Sequence, residues 1–286
     1  MLRAVSGVAL SSAVAGLATA PIAAAHFNQI PHFGLLANIV SVPVMGAVIM
    51  PAAVLAAVLW PLGLHWIGLK LMEPAIVWIL TVADKVAHLP GALSHVWSPS
   101  PVVLPLLALG FLWAVLWQGR ARALGLVPVI LSGVFWHTTP RPDLIVNETG
   151  SLIGVMTAEG RHVSKSRGDS FAAMSWLEND GDPVLQALAF ERNGFETDER
   201  RHVIRMKDTI IFHATGKIAG ARAIADCAKA DYVVVNITAE QTPRPDCTIF
   251  DLTSLRRSGA LALYWQGDAL RLETARARQG ARLWSQ

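Results

Sequence analysis

The sequence predicts an α-helical polytopic membrane domain over residues 1–137, followed by an α/β soluble domain over residues 138–286. Three observations carry this. Of the 24 Lys and Arg and 21 Asp and Glu residues, only Arg3, Lys70, Glu73, Asp84 and Lys85 precede Arg120, so the other forty crowd into the remainder. The first part holds long apolar runs, and the second alternates strand and helix signals. The mean hydropathy of +0.42 therefore averages an oily half and an ordinary soluble one. A net charge of +3, spread without clustering, does not by itself argue for nucleic acid. The second part, roughly 149 residues, is long enough for a core of its own.

Taken in order, Val5 to Ala25 is long enough to span a bilayer of ~30 Å at 1.5 Å per residue. Arg3, the apolar stretch and Ala23-Ala24-Ala25 equally satisfy a secretory signal peptide, but further spans follow. The stretch His26 to Pro51 is a polar turn opening into an apolar run that carries Asn38 and the prolines Pro43 and Pro51, with Pro31 just before it. Backbone in hydrocarbon departs from helix only where it is buried in protein or lines a water-filled cavity, so this pattern suggests a membrane path. The uncharged run from Gly34 to Leu64 exceeds the ~20 residues of one crossing and must tilt, kink or break. Asn38 is either a pore-facing or gating amide or a helix-to-helix hydrogen bond worth ~0.6 to 2 kcal/mol.

His65 to His88 mixes Ile67, Leu71, Ile76 and Leu80 with Trp66 and Trp78, and with Lys70, Glu73, Asp84 and Lys85. A charge at mid-bilayer costs about 2.5 to 3.5 kcal/mol on insertion scales, which reads as an amphipathic helix lying at the interface or packed over the bundle, kinked at Pro74. Leu89 to Pro105 reads as loop. Val102 to Gln118 and Ala123 to Trp136 form a membrane hairpin around the basic turn Gly119-Arg120-Ala121-Arg122, with Trp113, Trp117 and Trp136 near its ends. The positive-inside rule puts Arg120 and Arg122 in the cytoplasm and the soluble domain outside, which for a bacterial inner membrane is the periplasm.

In the soluble half, Leu144 to Asn147 and Leu152 to Thr157 read as a hairpin, and Ser170 to Leu177 and Pro183 to Glu191 as helices. Thr209 to Ala214, Tyr232 to Ile237 and Ala260 to Trp265 read as strands, with helices over Gly220 to Ala230 and Leu252 to Ser258. The Arg271 to Arg282 stretch reads as a strand end and solvated tail. Cys227 and Cys247, the only cysteines, form either a disulfide suited to an oxidising compartment or two buried thiols. No CxxC or cysteine–histidine cluster supports zinc.

An Ala-rich helix ending in Ala-Pro, then His-Phe, then Gly34-Leu35-Leu36-Ala37-Asn38 and Pro43 resembles the membrane core of the ComEC-type competence proteins, from about Val5 to Leu64 and more loosely onward. The resemblance implies uptake of single-stranded DNA through the inner membrane in natural transformation, with partners in DNA, inner-membrane lipid and other competence proteins. It also implies a missing N-terminal part of the channel, since family members carry an OB-type domain and further spans. Where the family has a C-terminal extension, that extension resembles a metallo-β-lactamase fold, whose hydrolases use a His-x-His-x-Asp-His cluster to hold two zinc ions. The nine histidines here, at 26, 32, 65, 88, 95, 137, 162, 202 and 213, contain no such spacing, and Asp143-Leu144-Ile145-Val146 stands where the family has Asp-Val-Gly-Gln-Gly-Asp. Asp226-Cys227, Ala230-Asp231, Cys247 and Asp251 resemble a variant of that domain. The expectation is a catalytically degenerate domain: not an enzyme, with no cofactor and no metal.

Other motifs carry less. Glu178 to Asp182 has the flavour of a calcium loop, but an EF-hand register puts Trp176 first and Ala187 twelfth, so a surface turn fits better. Ser164 and Ser166 lack a nucleophile elbow. Arg161, Lys165 and Arg167, and Arg200, Arg201 and Arg205, are candidate DNA-phosphate contacts; interleaved acids make a solvated surface the competing reading. Asn38, Pro43 and Pro51 are the channel or gating candidates. Half of a small-molecule transporter, or a truncated remnant acting as a membrane-anchored interaction domain, shares these features and stands as the alternative.

Overall fold

In the computed structural model, which describes residues 2–198, 201–239, 247–267 and 269–280, the chain divides into two compact units, Met1–Trp136 and His137–Gln286. The first is built from α1 (Leu2–Phe27), β1 (Gln29–Pro31), α2 (Gly34–Val44), a π-helical turn (Met45–Ile49), α3 (Met50–Leu59), α4 (His65–Ala87), β2 (Leu93–His95), α5 (Val103–Leu116) and α6 (Leu126–His137). Short 3₁₀ turns at Trp60–Leu62 and Gly119–Gly125 link α3 to α4 and α5 to α6. Among the described residues three stretches are long and apolar enough to cross a membrane: Ala9–Phe27, Gly34–Leu62 and His65–Ala87.

The Gly34–Leu62 run does not break. It is helical throughout its 29 residues, and the strain of two prolines is taken up by the π turn between them. Pro43 and Pro51 each lack an N–H, and one inserted residue re-spaces the ladder where those donors are missing. At 1.5 Å per residue the run is about 43 Å long, so tilt accommodates it in a ~30 Å core.

The sequence left α4 either at the membrane interface or packed over the bundle. The structure packs it along α2, the π turn and α3 through a face that recurs at three- and four-residue steps: His65, Gly68, Met72, Ala75, Ile79, Val82 and Val86. Small residues make this approach possible, as is common between membrane helices. A Cβ on Gly68 would lie 2.5 Å from the Ala52 carbonyl oxygen and 2.7 Å from the Ala56 Cβ. Gly68→Leu is therefore expected to push α3 from α4 and lower the melting temperature of the detergent-purified protein by several degrees; an unchanged melting curve would show that the close contact does not form.

The unit's non-helical end is tied by hydrogen bonds. β1 pairs antiparallel with β2, and Asn28, held at φ 56°, donates from Nδ2 to the Val96 carbonyl (3.1 Å) and to Ser98 Oγ (2.9 Å). The Trp97 and Trp136 indole N–H groups donate to each other's carbonyl oxygens at 3.0 and 2.8 Å. The turns after α1 and α4 and the end of α6 thus share one end of the unit. By connectivity, Arg3 and the Arg120/Arg122 turn belong to the other.

The second unit contains β3 (Leu144–Val146), β4 (Ile153–Thr157), β5 (Gly160–Val163), α7 (Ser170–Asn179), α8 (Gln186–Phe190), β6 (Glu196–Asp198), β7 (Arg201–Met206), β8 (Thr209–Ala214), α9 (Lys217–Ala225), β9 (Tyr232–Val235), β10 (Thr248–Phe250), α10 (Leu252–Ser258), β11 (Leu261–Gln266), β12 (Ala269–Thr274) and α11 (Ala275–Gln279). Two five-stranded sheets form, ordered β10-β9-β8-β7-β6 and β12-β11-β3-β4-β5. The hairpin expected around Glu148 to Gly150 is the antiparallel β3–β4 pair.

Alternating side chains sort into three apolar layers. Leu144, Val146, Ile153 and Val155 meet Ile204, Ile211 and Val234 between the sheets. Val203, Phe212, Val233 and Val235 pack outward under α9. Leu152 and Val163 pack outward under Ala173, Trp176 and Leu177 of α7 and Ala189 of α8. The result is a four-layer helix–sheet–sheet–helix sandwich. Arg271 to Thr274 is the expected strand end, part of β12, which pairs with β11 along six residues; α11 follows it over Ala275–Gln279, and the last two residues of the expected tail lie outside the described residues.

Candidate functional site

The channel candidates lie together on one helical path. Asn38 sits one turn into α2, exposed, and makes no side-chain hydrogen bond among the described residues. Pro43 lies near the end of the same helix and Pro51 at the start of α3, both exposed, on either side of the π turn. π turns of this kind interrupt the ladder locally and are frequent at functional sites. Close packing supplies the opposing rigidity, with Ala52 and Ala56 of α3 against Gly68 of α4, and Gly110 of α5 against Gly125 and Val129.

The proposed phosphate contacts do not form one surface. Arg161 is a correction: it is fully buried beneath α7, with its guanidinium on the Asp180 carboxylate (Nε to Oδ2 2.5 Å, Nη2 to Oδ1 3.1 Å) and on the Gly154 and Pro142 carbonyl oxygens. Its position on β5 forces this, because it shares the outward face with Val163. Lys165 pairs with Asp169 at 3.1 Å, Arg201 pairs with Asp226 at 2.9 Å and lies over the Phe212 ring, and Arg205 reaches Glu196 at 3.4 Å. Arg167 is exposed, and Arg200 lies outside the described residues.

The acidic residues likewise have structural work. Asp180 and Asp182 of the calcium-like stretch hold Arg161 and Arg192. Asp251 caps α10 through Ser254, and Asp231 accepts from the Ile210 N–H at 2.8 Å. Cys227 and Cys247 are joined as a disulfide with Cα atoms 5.8 Å apart, tying the turn after α9 to the start of β10.

A buried histidine group escaped the sequence reading. His162, His202 and His213 all point into the layer between the sheets, with Phe195 bridging His162 (ring centroids 4.1 Å) and His202 (5.2 Å), and His202 stacked on His213 at 5.7 Å. His213 donates from Nε2 to the Gly150 carbonyl at 3.0 Å, while Nδ1 of His162 and of His213 has no partner among the described residues. Gly150 reaches this contact only because its φ is 66° and it has no Cβ, which would lie 2.6 Å from the Val235 oxygen. Among the described residues no three His, Cys, Asp or Glu side chains converge as a metal site; the imidazoles stack instead.

Burial lowers His162 to about 4 and His213 to about 3, and it lowers the half-buried His202 as well. Unfolded histidine titrates near 6.5, so below that pH the unfolded chain binds protons that the folded one refuses. Stability is full above pH 6.5 and falls by at most about 1.4 kcal/mol per pH unit for each of His162 and His213 as pH drops toward their folded values. Melting followed by near-ultraviolet circular dichroism should shift downward between pH 7 and 5; a flat profile would mean that these rings take up protons without unfolding.

With the geometry of the helical unit in hand, its relationship is clear. Residues 2–121 match a family model described as Competence protein. This stretch is competence-family sequence. The match takes in α1 to α5 and stops in the basic turn before α6, so it covers the π turn, both prolines, Asn38 and the whole of α4. It agrees with the resemblance carried by Gly34 to Asn38 and Pro43. No curated protein matches the chain, and no solved structure does.

Proposed function

We propose that the competence-family unit is part of an inner-membrane passage for single-stranded DNA in natural transformation. The observation that carries this is the family match over residues 2–121, which falls on the apolar helices and on the proline-flanked π turn. The Arg120/Arg122 turn faces the cytoplasm by the positive-inside rule, and the chain leaves α6 at the opposite end, so the second unit lies in the periplasm. The disulfide fits that oxidising side.

The second unit is a catalytically silent relative of the metallo-β-lactamase fold. Its four-layer sandwich supports the likeness, and the pairing of Asp180, Asp182 and Asp226 with arginines supports a structural use of its acids. It takes no cofactor, and it meets the incoming strand through its surface and not through bond cleavage. Partners are the single strand, inner-membrane lipid and the other parts of the channel. In a naturally competent host carrying this gene, in-frame deletion is expected to abolish transformation by added linear DNA while leaving electroporation of a plasmid unaffected. Unchanged transformation would reject the proposal and favour a membrane-anchored interaction domain.

A further inference from the structure

Between Ala4 and Gly119 the chain has four formally charged side chains, Lys70, Glu73, Asp84 and Lys85, and all stand on α4. Lys70, Glu73, Val77, Thr81, Asp84 and His88 recur at three- and four-residue steps, and every one is exposed. At 100° per residue they fall within a strip of about 80° of the helix circumference, with Lys85 about 40° beyond its edge. This strip lies opposite the face through which Gly68, Met72, Ala75, Ile79, Val82 and Val86 meet the neighbouring helices. Exposed apolar residues border it on both sides, Leu69, Ile76 and Leu80 on one and Leu71 and Trp78 on the other.

Such a strip on a helix that crosses the membrane cannot face lipid. Each charge at depth costs about 2.5 to 3.5 kcal/mol, and ionisable side chains in spans face a bundle interior or water. Glu73 lies eight residues into α4, about 12 Å along it. We propose that the Lys70–Glu73–Val77–Thr81–Asp84–His88 strip is the wall of a water-filled passage, with the rest of the wall supplied by spans beyond this packed face.

The charges are arranged for a wall more than for a binding site. Lys70 Nζ lies 2.9 Å from Glu73, with both side chains mostly exposed at 72% and 61%, and His88 lies 3.5 Å from Asp84. Thr81 turns its hydroxyl back to the Val77 carbonyl at 2.7 Å. Paired locally, the strip is hydrated without a net positive field, so a hydrated polyanion passes and does not lodge; conduction requires sites weak enough to leave. What travels rests on the DNA reading above, whereas the water does not.

The test uses the full protein in its native membrane. Both native cysteines are disulfide-bonded, so one introduced cysteine is the free thiol. Val77→Cys and Thr81→Cys are compared with Ile76→Cys and Leu80→Cys at the same depths, and with Ala75→Cys, using a membrane-impermeant charged methanethiosulfonate. The proposal expects labelling at Val77 and Thr81 at least tenfold faster than at the other three. Slow labelling at Val77 and Thr81 would overturn it, because the strip would then be sealed against another protein face. Equal labelling at Ile76 and Leu80 would also overturn it, because α4 would then lie at the interface. If the strip labels and modification leaves transformation unchanged, the aqueous wall stands and the DNA reading falls.

Discussion

Arg161→Ala should destabilise the second unit by about 3–5 kcal/mol, seen as a large drop in the denaturant midpoint of its unfolding step. The guanidinium is fully buried, and its removal leaves the Asp180 carboxylate, itself 4% exposed, without its cation. The Gly154 and Pro142 carbonyl oxygens lose a donor as well. Replacing both members, as in Arg161→Leu with Asp180→Leu, removes the uncompensated charge and is expected to recover most of the loss. Arg205→Ala is the contrasting case: its pair with Glu196 is 58% and 71% exposed, and exposed pairs contribute about 0–1 kcal/mol. Equal effects at Arg161 and Arg205 would contradict the buried pair.

Reduction of the disulfide ranks second. Cys227 and Cys247 are twenty residues apart, and closing a loop of that length stabilises by ~3 kcal/mol in the chain-entropy model. Cys227 is also a buried member of the layer beneath α9, so Cys227→Ser adds the cost of a buried hydroxyl. Melting of the purified protein with and without dithiothreitol should differ by several degrees, and Cys227→Ser should melt like the reduced protein or below it. Identical melting in both conditions would show that the thiols are unpaired in solution.

The elements legible in the sequence were those with one dominant period. Ser170 to Leu177 and Leu252 to Ser258 read as helices because apolar side chains recur on one face, and Thr209 to Ala214 read as a strand because its β-branched and aromatic residues are continuous. β7 was hidden by its charges: Arg201 and Arg205 made it look like a basic surface, although His202 and Ile204 face inward between them. The same masking produced the misplacement of Arg161, whose partner Asp180 is nineteen residues away and was read as part of a turn. Alternation along β5, β7 and β8 would have put His162, His202 and His213 on one inner face, but only once the two sheets were known to face each other. On α4, composition showed the charges and left an interfacial and a bundle-packed helix both open, since Gly68 and Ala75 carry no hydropathy signal strong enough to mark the packed face.

The central claim is passage of single-stranded DNA, and the fate of the DNA tests it most directly. Cells lacking the gene, and cells complemented with it, would be given duplex DNA labelled along one strand, and label would be measured separately in periplasm and cytoplasm. The proposed function predicts that label reaches the periplasm in both strains, and that it enters the cytoplasm as single strand only in the complemented one. Cytoplasmic label at equal levels in the two strains would contradict it.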